Sequence, residues 1–201
     1  MASTMTKIRL LAQAARTILD AIADAGDRET GGTLVGPDHQ EGGLLVTHAT
    51  GPGPGAQRGP TSFRFDREWC QHRLDHWHRS MRVDWIGDWH LHPSGLHQPS
   101  PTDYESALRL IADHHLRFRR FLLLVAQPPE DGRVVLNGFV VDPHRVNCAD
   151  AEVATSIDAD HPLISFQPTW ALNASAPGRK TAKGDEVLER PRTMQWDRQA
   201  D

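Results

Sequence analysis

The chain has 201 residues, of which 38% are hydrophobic and 24% charged, an ordinary composition for a globular protein with one sizeable domain and an extension. A formal charge of −4 gives no general reason to expect nucleic acid as a partner. No apolar run approaches membrane-spanning length and the N-terminus lacks a secretion signal, so we expect a cytoplasmic protein that does not bind membranes. The two cysteines are too few for a disulfide scaffold or a zinc ribbon.

The N-terminal part of the chain predicts one helix followed by two strands. The helix is expected over residues 6–25, because apolar residues recur there on one stripe. Strands are expected at residues 29–35 and 44–47, and the turn signal Gly36-Pro37-Asp38 between them predicts a hairpin. The pair Gly31-Gly32 permits close backbone approach, which we interpret as room for an extended substrate; a bulge or loose turn is the alternative.

A second helix is predicted after a loop rich in glycine and proline. The loop covers residues 49–60, a short strand follows at 61–65, and Asp66 is expected to cap a helix that reaches about Ser80. The buried face of this helix is expected to comprise Trp69, Leu74, Trp77 and Met81. His72 and His76 lie four residues apart on it, but no third ligand is near, so a solvated helix face is the favoured interpretation.

Two histidines follow a predicted strand at residues 83–89. Side chains on a strand alternate between its faces, so His90 and His92 are expected on one side and Leu91 on the other. Pro93 cannot donate a ladder hydrogen bond and is expected to end the strand. Two imidazoles on one side at this spacing can reach a single ion.

The segment Ser100-Pro101-Thr102-Asp103 has the pattern of a helix start, with serine at the N-cap, proline at N1 and an acid at N3. The helix is expected to reach about Arg119, where His114 and His115 would suit the negative end of its dipole. The short loop before it can fold the first turn back over the strand end. Asp103 would then face the two histidines.

His90, His92 and Asp103 together offer three protein ligands. Such a set leaves a fourth tetrahedral position for water, which is the arrangement of a catalytic zinc site rather than a structural one. Alternatives exist for each part: a His-x-His pair is often exposed or hydrogen-bonded, and Ser-Pro-Thr-Asp is often only a capping box. The combination at this spacing is much more specific than either part.

The remainder of the chain predicts two more strands and a polar end. Residues 121–126 form a continuous apolar run typical of a buried strand, and residues 134–141 return as another strand. The element order therefore predicts one α/β domain over residues 1–143, with a mixed sheet flanked by helices. We expect residues 144–170 to be an extension docked on it, and residues 171–201 to be a disordered tail.

The spacing of these residues resembles the JAMM motif of the JAB/MPN metalloprotease family. His90-x-His92, seven residues, Ser100, two residues and Asp103, with a glutamate well upstream, match that motif. The segment from Glu29 to Gly36 looks like the glutamate strand of the family, and Gly87-Asp88-Trp89-His90 looks like its prokaryotic branch. The likeness covers roughly residues 7 to 142 and departs at Leu91, where the family usually has Ser or Thr.

The resemblance implies a single-domain JAB/MPN fold, related to cytidine deaminases, that holds one Zn²⁺ per chain through His90, His92 and Asp103. Glu29 would be the general base that takes a proton from the attacking water and passes it to the leaving amine. Ser100 would help to stabilise the oxyanion, since a hydroxyl that accepts a cap hydrogen bond can still donate its own hydrogen.

A substrate class also follows from the resemblance. It implies a peptidase or isopeptidase, like a deubiquitinase, that cleaves the bond after the C-terminus of a ubiquitin-like protein, by deconjugation or precursor processing. Its partners would be a ubiquitin-like protein with a glycine-rich C-terminus, or its conjugate, and activating- and conjugating-enzyme-like proteins, including those of anti-phage conjugation systems.

Two other functions remain open. A sulfur-carrier-protein peptidase would use the same site, and a non-catalytic MPN scaffold would use none of its chemistry. A cytidine deaminase is excluded, because its Pro-Cys-x-x-Cys signature is missing.

Overall fold

The computed structural model describes residues 6–37, 43–144, 146–153 and 163–166. The helices are α1 (Ala12–Ala25), α2 (Arg67–Met81) and α3 (Pro101–Ala112). The strands are β1 (Thr6–Leu10), β2 (Thr30–Gly36), β3 (Gly43–Val46), β4 (His48–Ala49), β5 (Gln57–Arg58), β6 (Phe63–Arg64), β7 (Asp84–Leu91), β8 (Phe121–Ala126), β9 (Arg133–Val141), β10 (Val146–Val153) and β11 (Leu163–Phe166). None of these helices has the length and apolar character needed to cross a bilayer.

Nine of the described strands form one mixed sheet. Its order is β3-β1-β10-β9-β8-β7-β2-β4, with β11 beside β9. The central strands β7 and β8 run parallel, whereas β7 pairs with β2, and β8 with β9, in antiparallel fashion. The prediction of an α/β domain with a mixed sheet flanked by helices is therefore confirmed.

The alternation along β8 shows how the helices cover the sheet. Leu122, Leu124 and Ala126 belong to the core cluster that contains the apolar face of α1. Phe121, Leu123 and Val125 point to the other face, where Ala107 and Leu110 of α3 cover them. All six residues of β8 are buried, which explains the continuous apolar run in the sequence.

The N-terminal segment differs from its prediction, since residues 6–10 form β1 and the helix begins only at Ala12. Ile8 and Leu10 are fully buried, while Lys7 and Arg9 are exposed, which is the two-residue period of a strand. Ile8, the first residue of the predicted helical stripe, belongs instead to this alternation. The pairing of β1 with β3 and β10, both remote in sequence, decides in favour of the strand.

The predicted hairpin is also wrong in its details. β3, which contains Leu44, pairs with β1 in parallel and not with β2. The antiparallel partner of β2 is the short β4, in which Ala49 lies opposite Leu34 and His48 opposite Val35. Within the loop predicted over residues 49–60, β5 forms a small hairpin with β6.

The two later helices keep their predicted starts but differ at their ends or faces. Asp66 caps α2, accepting a hydrogen bond from the Trp69 backbone. Cys70 and Trp77 are its buried residues, whereas Met81, predicted to be buried, is 48% exposed. Helix α3 ends at Ala112, seven residues before the predicted end, and its C-cap has an extended backbone.

The stretch expected to dock as an extension contributes β10 and β11. β10 joins β1 to β9, and β11 pairs in parallel with the first half of β9. The predicted disordered tail, residues 171–201, lies outside the described residues.

Candidate metal centre

The two histidines lie at the end of a central strand. His90 is in β7, and His92 follows it, its backbone N–H still donating to the carbonyl of Ala126 on β8. Their rings are on one side, with the Nε2 atoms 2.6 Å apart. Leu91 points to the opposite face and is buried in the cluster under α1, so the departure from the family pattern lies behind the site.

The first turn of α3 brings a carboxylate to these imidazoles. Ser100 and Asp103 form the predicted capping box: the serine Oγ accepts from the Asp103 N–H, and the Asp103 Oδ2 accepts from the Ser100 N–H at 2.7 Å. Pro101 at N1 has the backbone angle that a helix start needs. The box fixes the rotamer that aims Asp103 at the strand end.

Three ligand atoms converge on one point. Asp103 Oδ2 lies 3.4 Å from His90 Nε2 and 3.5 Å from His92 Nε2. Bonds of about 2.0–2.1 Å in a tetrahedron put ligand atoms about 3.3 Å apart, so the carboxylate distances fit a bound cation. The two imidazoles, now hydrogen-bonded to each other, need to separate by about 0.7 Å to reach that spacing. The donor set of two nitrogens and one carboxylate oxygen suits a divalent transition metal.

The surroundings of Asp103 favour its charged form. Burial alone would raise the pKa of this carboxyl, but hydrogen bonds from His90, His92 and Ser100, with the His90 charge, hold the pKa well below its usual value. An ionised carboxylate beside two neutral imidazole nitrogens is what metal binding requires. The Nδ1 atom of His92 is buried without a partner in the described part of the chain.

Glu29 lies directly before β2 and faces the same site. Its backbone N–H donates to the carbonyl of Gly59 at 2.8 Å, which ties the end of the strand to the loop before β6. Burial raises the pKa of Glu29, the charges of His92 and His90 lower it, and Asp103 raises it. The result is a pKa above the usual value, which moves this carboxyl toward the range in which a general base operates.

The hydroxyl of Ser100 is engaged within the capping box. Its Oγ donates to Asp103 Oδ2 at 2.7 Å while accepting from the Asp103 backbone. The single hydroxyl hydrogen can serve one acceptor at a time, so donation to an oxyanion requires the hydroxyl to turn away from Asp103. That role of Ser100 stays a prediction.

The glycine pair Gly31-Gly32, interpreted from the sequence as room for a substrate, lies close to the protein's own backbone. A Cβ on Gly31 would lie 2.4 Å from the Trp89 carbonyl oxygen, and one on Gly32 would lie 2.1 Å from the Thr50 carbonyl oxygen. The backbone that approaches these glycines is therefore the protein's own. Gly32 also lines the cleft of the site, and the interpretation as substrate space stays a prediction.

A cleft of about 840 Å³ connects these side chains with the space between α2 and α3. Glu29, His90, His92, Ser100 and Asp103 all line it. It also contains Asp88, which the sequence reasoning did not single out, although its spacing from His90 equals that between the two histidines. Burial raises the pKa of Asp88 to about 7, although a hydrogen bond from Trp85 lowers it.

The other histidines that the structure describes do not join this centre. His72 and His76 are exposed on α2, in agreement with a solvated helix face. Asp113, His114 and His115 form a second group whose ligand atoms lie within 4.8 Å of one another. They occupy the turn after α3, with both histidines exposed, and so do not form the last helical turn predicted for them.

Comparison with known proteins agrees with this geometry. The family described as prokaryotic homologs of the JAB domain matches residues 11–137. A protein named probable metalloprotease y4qB, of Sinorhizobium fredii, is 38% identical to this chain over 109 residues. The matched residues are 52% of this chain and 66% of the relative, so the chain spans slightly less than two thirds of the relative's length.

A solved structure extends the likeness to the fold. The solution structure of protein DSY2949 from Desulfitobacterium hafniense superposes with a TM-score of 0.57 at 20% identity, over 77% of this chain and 97% of that one. At this identity the likeness concerns the fold alone. The family match covers more than half of the chain, and the chain therefore belongs to the family of prokaryotic homologues of the JAB domain.

Proposed function

We propose that the protein is a zinc-dependent peptidase or isopeptidase that cleaves the bond after the C-terminus of a ubiquitin-like protein. The observation that carries this proposal is the meeting of His90, His92 and Asp103 at one point of a cleft that also holds Glu29. Two imidazoles and one carboxylate leave a fourth position open in a tetrahedral zinc site, as in catalytic centres.

A bound zinc ion and the side chains of the protein would supply different parts of the hydrolysis. A bound Zn²⁺ would lower the pKa of water to about 7 and polarise the scissile carbonyl. Glu29, ionised and partly withdrawn from solvent, accepts the proton of the attacking water and returns it to the leaving amine. Asp103 supplies the negative charge of the ligand set, and the capping box keeps it in place. Ser100, once turned from Asp103, donates to the developing oxyanion.

The choice of a ubiquitin-like substrate rests on the resemblance and on the shape of the site. A flexible Gly-Gly tail is slender enough to reach a centre that lies in a cleft rather than on a convex surface. The substrate would be the precursor or the conjugate of such a protein, met in the cytoplasm together with activating- and conjugating-enzyme-like proteins.

Two readings compete with this one. A sulfur-carrier-protein peptidase would have the same catalytic groups and differ only in the carrier it accepts. A non-catalytic scaffold is disfavoured by the complete set of Glu29, His90, His92, Ser100 and Asp103, because a scaffold has no need for a partly buried base beside three ligands.

The test is cleavage of a ubiquitin-like protein fused after its Gly-Gly terminus to a fluorescent reporter. We expect turnover that a chelator abolishes and added Zn²⁺ restores, and that is lost in Glu29→Gln. Glu130→Gln is the matched control, because Glu130 is exposed in the turn before β9 and does not line the cleft. Cleavage of a sulfur-carrier fusion alone would select the second reading, and stoichiometric zinc without any cleavage would select the scaffold.

A further inference from the structure

A second carboxylate lies beside the metal centre, on the same strand and face. Residues two apart on a strand point the same way, so Asp88, His90 and His92 form one row along β7 and its end. Asp88 lies opposite Leu123 of β8, whose side chain belongs to the cluster under α3. The Cα atoms of Asp88 and His90 are therefore about 7 Å apart, which is the span of two strand residues.

A bulge in β7 completes this arrangement. The pairing with β2 shifts register between Leu34 and Val35, which face Gly87 and Trp85, so that one residue of β7 is extra. Ile86 therefore packs under α1 with Trp89, while Trp85 turns to the face of Asp88. The Trp85 indole N–H donates to Asp88 Oδ1 at 2.9 Å and to the carbonyl of Gly87 at 2.8 Å. Bulges next to active sites commonly re-aim a side chain in this way.

Asp88 has no cationic partner in the described part of the chain. The arginines that line the cleft, Arg64, Arg67 and Arg109, make no ion pair with it there, and Arg109 pairs instead with Glu105. The Trp85 indole is the donor that reaches its carboxylate among these residues. A sheltered carboxylate with one neutral donor retains acceptor capacity for a further group.

Apolar side chains from both helices and from β8 line the cleft that contains Asp88. Cys70 and Leu74 of α2 line the cleft on one side, and Leu110 of α3 lines it on the other, above Phe121 and Leu123 of β8. The Trp85 and Phe121 rings pack edge to face with their centroids 5.7 Å apart, which makes this part of the floor aromatic. A long side chain with a methylene stem and a charged end fits such a pocket, because its stem packs on apolar surface while its head meets the carboxylate.

We propose that Asp88 forms a subsite for a basic side chain, lysine or arginine, of a substrate residue that flanks the scissile bond. The ammonium or guanidinium group donates to the Asp88 oxygen that Trp85 leaves open, and the stem lies along Leu74 and Phe121. This inference rests on the proposed function, since it assigns a specificity to the same cleft. Asp88 is a specificity-determining residue, and Trp85 is the positioning residue that orients it.

The test uses binding, so that it does not depend on turnover. The protein is the full chain with Glu29→Gln, loaded with Zn²⁺, and the probes are capped peptides Ala-Leu-Gly-Gly-Ala-Ala in which each position in turn carries lysine or norleucine. Norleucine keeps the four-carbon stem and lacks the amine. We expect at one position about a ten-fold tighter Kd for lysine, as for a charge-assisted hydrogen bond.

Variants then assign the preference to its residue. Asp88→Asn, which keeps the shape, removes the lysine preference, and Asp88→Glu retains part of it, while zinc content stays at one per chain in both. Equal Kd values for lysine and norleucine at every position in the Asp88 protein overturn the proposal, even if no variant folds. A preference that survives Asp88→Asn overturns it as well, and Asp88 is then only the acceptor of the Trp85 indole.

The outcome also separates this inference from the proposed function. Cleavage of the Gly-Gly fusion by the wild-type protein without a lysine preference rejects the subsite and leaves the function standing. A lysine preference abolished by Asp88→Asn, without any cleavage, supports the subsite and rejects the peptidase.

Discussion

Asp103 has two roles that two substitutions separate. Its carboxylate is the third ligand atom beside His90 and His92, and it is also the N3 member of the capping box of α3. Asp103→Asn removes the anionic ligand but keeps an amide oxygen that accepts from the Ser100 N–H. Ser100→Ala removes the N-cap but keeps all three ligands.

The two variants are expected to rank in opposite order for loss of folding stability and for loss of zinc affinity. Loss of the Ser100 cap costs about 0.5–2 kcal/mol of folding stability, whereas loss of one charge near a helix N-terminus costs about 0.3–1 kcal/mol. Each kcal/mol lowers Tm by about 2–4 °C in a chain of this size. For the metal, loss of a group that hydrogen-bonds a ligand costs about 10–100-fold in affinity, so loss of the ligand itself exceeds about 100-fold. We therefore expect Ser100→Ala to be the less stable variant and Asp103→Asn the weaker binder.

The assay measures both quantities on the same samples. Thermal unfolding is followed in excess chelator, because bound metal would itself raise Tm. Zinc affinity is measured by competition with a chromogenic chelator, at a pH held equal for all variants. If Asp103→Asn binds zinc as tightly as the wild type, Asp103 is only a cap residue and the three-ligand reasoning fails.

Three further results are expected. Glu29→Gln keeps one zinc per chain and loses about 10²–10⁴-fold in turnover; an equal loss of metal, measured by atomic emission, would instead make Glu29 a ligand. Because burial raises the pKa of Glu29, its carboxyl group in the zinc-free protein titrates above pH 4.5; NMR titration with Glu29→Gln as the assignment control measures this, and a midpoint at or below 4.5 contradicts it. Gly32→Ala lowers the free energy of unfolding, measured in urea, by about 1–3 kcal/mol or more, because its Cβ would lie 2.1 Å from the Thr50 carbonyl oxygen. Gly51→Ala is the control and has little effect, since the nearest atom to its Cβ would be 3.8 Å away. Equal free energies of unfolding for the two variants would disprove the close packing at Gly32.

Local signals in the sequence were sufficient where a short segment determines its own structure. The Asp66 cap of α2, the capping box at Ser100 and the apolar run of β8 all follow from residues within one or two turns or one strand. They failed at β1, because Ile8 also has the spacing of the helical stripe that continues through α1. Only the strands on either side of it, from distant parts of the chain, decide between the two.

In the metal site, too, some side chains are placed by local sequence and others by the pairing of distant strands. The spacing of His90, His92 and Asp103 was readable from the sequence, since a strand end and a helix start fix where those side chains point. The placement of Glu29 depends on the pairing of β2 with β7, and no local pattern distinguishes it from a surface glutamate. The shift of Trp85 toward Asp88 depends on a bulge in that same pairing, which period-two reasoning along β7 cannot anticipate.

The most direct measurement of the central claim is a crystal structure of the zinc-loaded protein with anomalous diffraction at the zinc edge. We predict one strong peak within about 2.0–2.2 Å of His90 Nε2, His92 Nε2 and an Asp103 carboxylate oxygen, with its fourth position open to the cleft near Glu29. A peak at Asp113, His114 and His115 instead, or none between the two imidazoles and Asp103, would contradict the account.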